Sequence, residues 1–460
     1  MFNELDNSRL KPFHIRNVIV SGMGVLSDSY NLYAISLVFF PVVMYLHLST
    51  IESSVLTASS FYGAAAGAML FGLVADKIGR KPMYGIDLLL IFIGAISQLF
   101  VSNFTLLFVA RLVLGFGIGG DYVMSPVIMA ENSNMKDRGK LMAVSFSIMF
   151  SLGATLAALV VQVTSAFVAP ELAWKIVLAF GAVPSLFVIY YRRKIPETYR
   201  FTARVKGESV EPADPVFKKG AGERAPKDNV GYLRRLGTSM PLILAGAILW
   251  ILYDTYSSTF TIYGPITIAA NLGLTPVGFT YAAVFLAGIP GTIVSIFLID
   301  RVGRKKLVVL GYAGVFVSLV LFSLLQINPG IFGIPQSSVI LGGLTGFAAT
   351  LGFTFYLFNY FFAAAGPATI IGGTIIVPEL IPTKVRASGQ AINVSIDKIA
   401  VGLAITSFPL FLKALGLGYM VLVYAGIAIA SSVIMYFIIP ETKGKTLEEI
   451  SRESSELVSH

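Results

Sequence analysis

The chain has 460 residues, 55% of them hydrophobic and 13% charged, with a net charge of +9 and no cysteine. Soluble domains carry roughly 25% charged residues, so too few polar side chains exist here to clothe a water-soluble surface, and the excess apolar surface belongs in lipid. The missing cysteines exclude disulfides, thiolate metal sites and cysteine nucleophiles, while the basic excess lies between apolar segments, where it reads as a topology signal and not as a nucleic-acid surface.

Apolar stretches of about 20 residues, enough to cross a hydrocarbon core of ~30 Å, recur along the chain and predict an all-α membrane protein of twelve spans. They fall near 17–46, 54–74, 83–101, 105–131, 141–168, 174–192, 237–264, 276–299, 307–327, 354–380, 388–413 and 418–439. The first follows a polar start and lacks a small-residue cleavage site, so it reads as a retained span and not as a signal peptide. Alternate connections carry the cations, as in ADKIGRKP, NMKDRGK, the 193–236 linker, DRVGRKK and IPTKVR, whereas HLSTIES and VSNF have almost none. The positive-inside rule then places both termini in the cytoplasm of a multi-pass cell-membrane protein.

Ionisable side chains interrupt several spans. Span 1 holds Asp28, span 4 holds Arg111 and Asp121, span 7 holds Asp254 and span 11 holds Lys398. Counted at 1.5 Å per residue, Asp28, Asp121, Asp254 and Lys398 lie about 15–18 Å from the nearest span ends, close to mid-membrane. Each costs at least ~2.5 kcal/mol there, so they are expected to face an interior cavity and not lipid. Trp250 and Asp254 are four apart and share one helix face. No histidine lies deep in a span, so proton coupling would fall to carboxylates, with Arg111 as the expected partner of Asp28. The blander readings are that these charges only tie helices together, that Trp250 faces lipid, and that Lys398 is neutralised by Asp397 or Asp254. GFGIGG in span 4 is not preceded by a strand and reads as close helix packing, not as a dinucleotide loop.

The sequence also repeats. Asp76-Lys-Ile-Gly-Arg80-Lys returns as Asp300-Arg-Val-Gly-Arg304-Lys, Glu131 and Arg138 return as Glu379 and Arg386, and the PETYR segment returns as PETKG. Two parallel six-span halves follow, 1–192 and 237–440, joined by the 193–236 linker and followed by a 441–460 tail. The offset between repeats grows from 224 to 248 between Asp300 and Glu379, that is 300 − 76 against 379 − 131. The surplus lies in an apolar segment near 328–353. Crossing the membrane once there would invert the following basic loop, so an extra helix or re-entrant piece on the outer side is expected.

GLVADKIGRKPMYG and DRVGRKKLVVLG resemble the loop signature of the major facilitator superfamily, and PETKGKTLEEI resembles that of its sugar and phosphate porters. RLVLGFGIGGDYVMSPVIMAE, GVLSDSYNLYAISLV, Trp250-Ile-Leu-Tyr-Asp254 and NVSIDKIAVG are similar to spans 4, 1, 7 and 11 of the phosphate:proton symporters. The resemblance implies a proton-coupled transporter working by alternating access. Asp28, Asp121 and Arg111 would couple the proton, and Tyr122, Trp250, Asp254, Tyr256, Lys398 and the neighbouring Phe150 would contact a small anion, inorganic phosphate first. Asp76, Arg80, Glu131, Arg138, Asp300, Arg304, Glu379 and Arg386 would form a cytoplasmic gate. Three polar ligands of that family are altered: Phe150 stands for a Gln, Ser258 for a Tyr, and Ala368 for the Asn of a GPN motif. A proton-coupled sugar or organic-acid carrier is the alternative, and a non-transporting membrane sensor is a rival of another class. Enzymatic activity, a metal, a cofactor other than the coupling proton and a nucleic-acid partner are not expected, and the chain is expected to act as a monomer in the bilayer.

Overall fold

The computed structural model describes residues 2–208, 228–340 and 343–451; the middle of the expected linker, the tip of the inserted segment and the end of the tail lie outside the described residues. Among these residues, ten helices are long and apolar enough to cross a membrane. Spans 2 to 6 are Thr50–Ile78, Arg80–Phe100, Phe104–Asn132, Arg138–Phe167 and Pro170–Arg192. Spans 7 to 10 are Tyr232–Asn271, Pro276–Val302, Arg304–Ile327 and Gly346–Ala365. Span 1 is a bent pair, Pro12–Leu37 and Phe39–Tyr45, with 57° between its parts. The tenth helix, Thr383–Phe437, supplies spans 11 and 12. Its main stretch, Arg386–Phe437, would be about 78 Å long if continuous, more than twice the membrane core, and the left-handed Gly416 (φ 76°, ψ 163°) divides it. Large apolar side chains such as Phe167 and Phe437 cover the outside, as lipid contact requires.

Small residues decide how close the spans approach. A Cβ on Gly119 would fall 2.0 Å from the carbonyl oxygen of Ala64, and one on Gly67 would fall 1.9 Å from that of Phe116. Gly115 and Gly119 of GFGIGG thus seat span 4 against span 2, and Gly117 seats it against span 3. The repeated loops share a turn: Gly79 and Gly303 both take positive φ, 113° and 105°, and turn span 2 into span 3 and span 8 into span 9.

The inserted segment differs from expectation. Instead of an extra helix or re-entrant piece, residues Pro329–Phe332 and Gln336–Ser338 form single 3-10 turns. Val339–Ile340 then pairs antiparallel with Gly343–Leu344. Pro335 and the positive-φ residues Gly333, Gly343 and Gly346 punctuate the stretch too often for a helix. Span 10 accordingly begins at Gly346 and not at 354. It ends at Ala365, where Gly366 leaves helical geometry, and a π-type turn Ala368–Gly372 and a short helix Ile376–Leu380 complete the descent.

Candidate transport site

A central cavity, with about 100 Å³ open to the centre of a water-sized sphere, lies between the two halves of the sequence. Span 4 contributes Tyr122, span 5 contributes Phe146 and Phe150, and span 7 contributes Trp250, Asp254 and Tyr256. Span 10 adds Asn359 and Tyr360. Five of the six expected substrate contacts therefore share one wall system. Its lining leaves polar groups unpaired: Trp250 Nε1, the Tyr256 hydroxyl and Asn359 Oδ1 are buried and receive or give no hydrogen bond within the protein. Buried polar groups are almost always satisfied, and these three belong to residues that line the cavity.

The sixth expected contact, Lys398, lies beneath the lining. Its ammonium stands 2.7 Å from Asp254 Oδ2 and 2.9 Å from Asp397 Oδ2. It also lies over the rings of Tyr122 at 4.7 Å and Trp250 at 4.8 Å. Asp254 thus joins the lysine to the cavity, and the neutralisation weighed from the sequence is present with both carboxylates together.

A second cluster lies on the far side of Tyr122. The fully buried guanidinium of Arg192, at the end of span 6, bridges Asp87 Oδ2 at 2.5 Å and Asp121 Oδ1 at 2.7 Å. It stacks 4.1 Å over the Tyr84 ring. Ser125 donates to Asp121. Asp87 is held by backbone N–H groups of Gly85 and Leu88 at 2.7 and 2.8 Å. Asp28 faces Asp121 within hydrogen-bonding reach, while Asp28 Oδ1 and Asp121 Oδ2 accept no hydrogen bond. Gly24 makes the room: a Cβ there would fall 1.8 Å from Arg192 Nη2. Three buried carboxylates around one guanidinium leave two uncompensated charges, reduced to one when a proton is held between them.

Arg111 is not the partner of Asp28. Its Nη2 donates to Ser60 Oγ at 3.1 Å, and Nε and Nη1 have no hydrogen-bond acceptor. Arg111 sits ten residues, about 15 Å, from Asp121 along span 4, so one side chain cannot reach the carboxylates that face Asp121. Arg192 and Asp87 stand beside these carboxylates in its place, and sequence reading passed over both. Each lies near a span end, where charges ordinarily signal topology; an acidic residue inside MYGIDLLLIF was the available hint.

At the end that carries the basic loops, the repeats close on each other. Arg80 contacts Asp76 at 3.1 Å and Glu131 at 3.2 Å, and Arg386 reaches the same Glu131 at 2.8 Å. In the duplicate, Arg304 contacts Asp300 at 2.8 Å and Glu379 at 3.1 Å, and Arg138 reaches Glu379 at 2.7 Å. Asp76 accepts from the backbone N–H groups of Ala387 and Ser388 at the start of span 11, and Asp300 from those of Gly139 and Lys140 at the start of span 5. Each carboxylate uses the exposed amides and positive dipole end of a helix in the other half. Arg200 adds a clasp below, joining Asp6 at 2.7 Å and Glu448 at 2.9 Å. Burial pushes the Glu448 carboxyl up, but Arg200 outweighs it and holds the group at about 2. The opposite end is closed by neutral contacts, such as Tyr33 to Tyr360 at 3.4 Å and Ser36 to the Ile262 carbonyl.

A duplicated twelve-span bundle with a midplane cavity and a charged closure at one end defines a secondary transporter of the major facilitator fold. The chain belongs to the "Sugar (and other) transporter" family, whose sequence profile matches residues 20–453. It is 31% identical to probable inorganic phosphate transporter 1-6 of Arabidopsis thaliana, over 98% of this chain and 96% of that one. It is 28% identical to low affinity inorganic phosphate transporter 8 of Medicago truncatula, over 99% and 93%. Among solved structures, the proton:xylose symporter XylE superposes with a TM-score of 0.78 at 19% identity, covering 96% of this chain and 99% of that one. XylE from E. coli in a partially occluded, inward-open conformation gives 0.72 at 19%, covering 95% and 100%. At that identity the structural likeness speaks for the fold alone.

Proposed function

We propose that this protein is a proton-coupled symporter of inorganic phosphate, acting as a monomer by alternating access between halves 1–192 and 237–440, with the basic-loop end on the cytoplasmic side. The observation that carries the reading is a juxtaposition. A cavity with unpaired donors, Trp250 Nε1 and Tyr256 Oη, touches the Asp254–Lys398 pair on one side, and the carboxylate cluster around Arg192 adjoins Tyr122 on the other. The names of the relatives support phosphate. The unpaired donors and the lysine suit an oxyanion, which needs N–H and O–H groups in place of water.

In this scheme Asp28 and Asp121 share the coupling proton, and Arg192 stabilises whichever carboxylate is ionised. Releasing the proton strengthens the hold of Asp121 on Arg192, and taking it up loosens that hold. A tilt of one half against the other then breaks the thin neutral closure at the outer end or the charged closure at the cytoplasmic end. Proteoliposomes under an imposed pH gradient provide the test. Labelled phosphate should accumulate with the gradient, ahead of a carboxylate panel and hexoses. Phosphate uptake indifferent to the gradient would remove symport, and hexose uptake alone would replace the substrate.

A further inference from the structure

Asp397 has no part in the scheme above, yet it is wholly buried in the middle of span 11. Among the described residues its oxygens meet no neutral hydrogen-bond donor; the Lys398 ammonium approaches at 2.9 Å and the Asp254 carboxyl stands within hydrogen-bonding reach. That ammonium is nearer to Asp254, at 2.7 Å, and is enclosed by the Tyr122, Trp250 and Phe61 rings. The charged and titratable groups around Asp397 are thus Lys398 on its own span, Asp254 from span 7 and Tyr122 from span 4; span 2 offers the uncharged Phe61. With every carboxyl ionised the triad carries one net negative charge beside the cavity, in surroundings that screen it poorly. An anion entering the cavity would meet this negative charge and a lysine already committed to two carboxylates.

We propose that Asp397 is a second proton-binding residue, which must be neutral for an anion to occupy the cavity. Protonated, Asp397 no longer competes for Lys398, and the triad becomes a neutral Asp254–Lys398 pair whose ammonium is free to share itself with the anion beside Asp254. The proton enters on Asp397 as the anion binds and leaves with it, separately from the proton held by Asp28 and Asp121. This inference rests on the anion reading above.

The test is equilibrium binding of labelled phosphate to the purified full chain across pH, with the wild type beside Asp397→Asn and Asp397→Ala, each checked for a monodisperse folded state. The titration of phosphate itself, and any linkage through Asp28 and Asp121, is common to all three. The wild-type Kd should rise with pH by up to about tenfold per unit beyond that shared part, as one linked proton requires. Both variants should lose the extra slope and bind more tightly than wild type at the alkaline end. Folded variants that keep the wild-type slope, or that lose binding altogether, would overturn the proposal, the latter by giving Asp397 only the task of holding Lys398. Independently of position 397, infrared difference spectra of the wild type should gain a protonated-carboxyl band on phosphate addition at alkaline pH. The band should persist in Asp121→Asn, and its absence from the wild type would also overturn the idea. A wild type that binds no phosphate at any pH would instead sink the substrate reading, and this inference with it.

Discussion

Replacing Arg192 by Gln removes the one cation among Asp28, Asp87 and Asp121. The ion contacts are 2.5 and 2.7 Å, each with a gross attraction of about 6 kcal/mol at an effective dielectric constant near 20. Much of that is offset by desolvation, and removing one partner of a buried pair typically costs about 3–5 kcal/mol. A protein that stays folded relieves the cost by keeping protons on the orphaned carboxylates, a bias of about 10²–10⁴ toward the protonated form. Such a carrier shuttles with its proton permanently in place. Gradient-driven phosphate accumulation by Arg192→Gln proteoliposomes should fall to the passive level, while phosphate counterflow, which needs no proton release, continues. Arg192→Lys should recover only part of the accumulation, because an ammonium cannot span two carboxylates as a guanidinium fork does. Wild-type accumulation by Arg192→Gln, together with loss of accumulation in Arg111→Gln, would refute the reasoning and restore Arg111 as the coupling cation.

Gly24→Ala should act like a partial loss of Arg192, since the new Cβ would lie 1.8 Å from Arg192 Nη2 and 2.4 Å from Asp121 Oδ2; undiminished accumulation would contradict it. Glu379→Gln leaves Arg138 and Arg304 without their shared carboxylate and should loosen the charged closure. Because the chain has no cysteine, Asn393→Cys, at a buried position on span 11 two turns beyond Arg386 of the charged closure, gives a clean probe, and its labelling by an impermeant maleimide from the basic-loop side should rise several-fold in the Glu379→Gln background. Unchanged labelling would contradict a gating role. For the tail, Glu448 is held at about 2 against an ordinary 4.5, so its pairing with Arg200 contributes fully above pH 4.5 and is lost as pH falls toward 2. The gap corresponds to about 3 kcal/mol. Hydrogen exchange of residues 446–451, corrected for intrinsic rate, should be faster at pH 3 than at pH 6, and equal protection would refute the contact's strength.

The span count was legible because lipid imposes a length and a composition that one residue at a time can satisfy. The ion pairs at the basic-loop end were legible because duplication displays the same acidic and basic residues twice at fixed spacing. The partner of Asp28 was not. Spacing along span 4 gives the depth of Arg111, whereas the face it presents depends on how spans 2 and 4 dock through Gly67 and Gly119. Arg192 and Asp87 escaped notice because a charge near a span end is ambiguous in one dimension, able to turn to water or inward. The inserted segment misled for a related reason: its apolar composition suggested a helix, and the glycines that turn it into a hairpin weigh on conformation more than on hydropathy.

Proton and phosphate fluxes measured together in one proteoliposome preparation address the carboxylate pair most directly. Wild type should take up protons in step with phosphate, whereas Asp28→Asn and Asp121→Asn should carry phosphate only down its gradient with no accompanying proton flux. Persistent, phosphate-dependent proton uptake at the wild-type ratio in both variants would contradict the role given to Asp28 and Asp121.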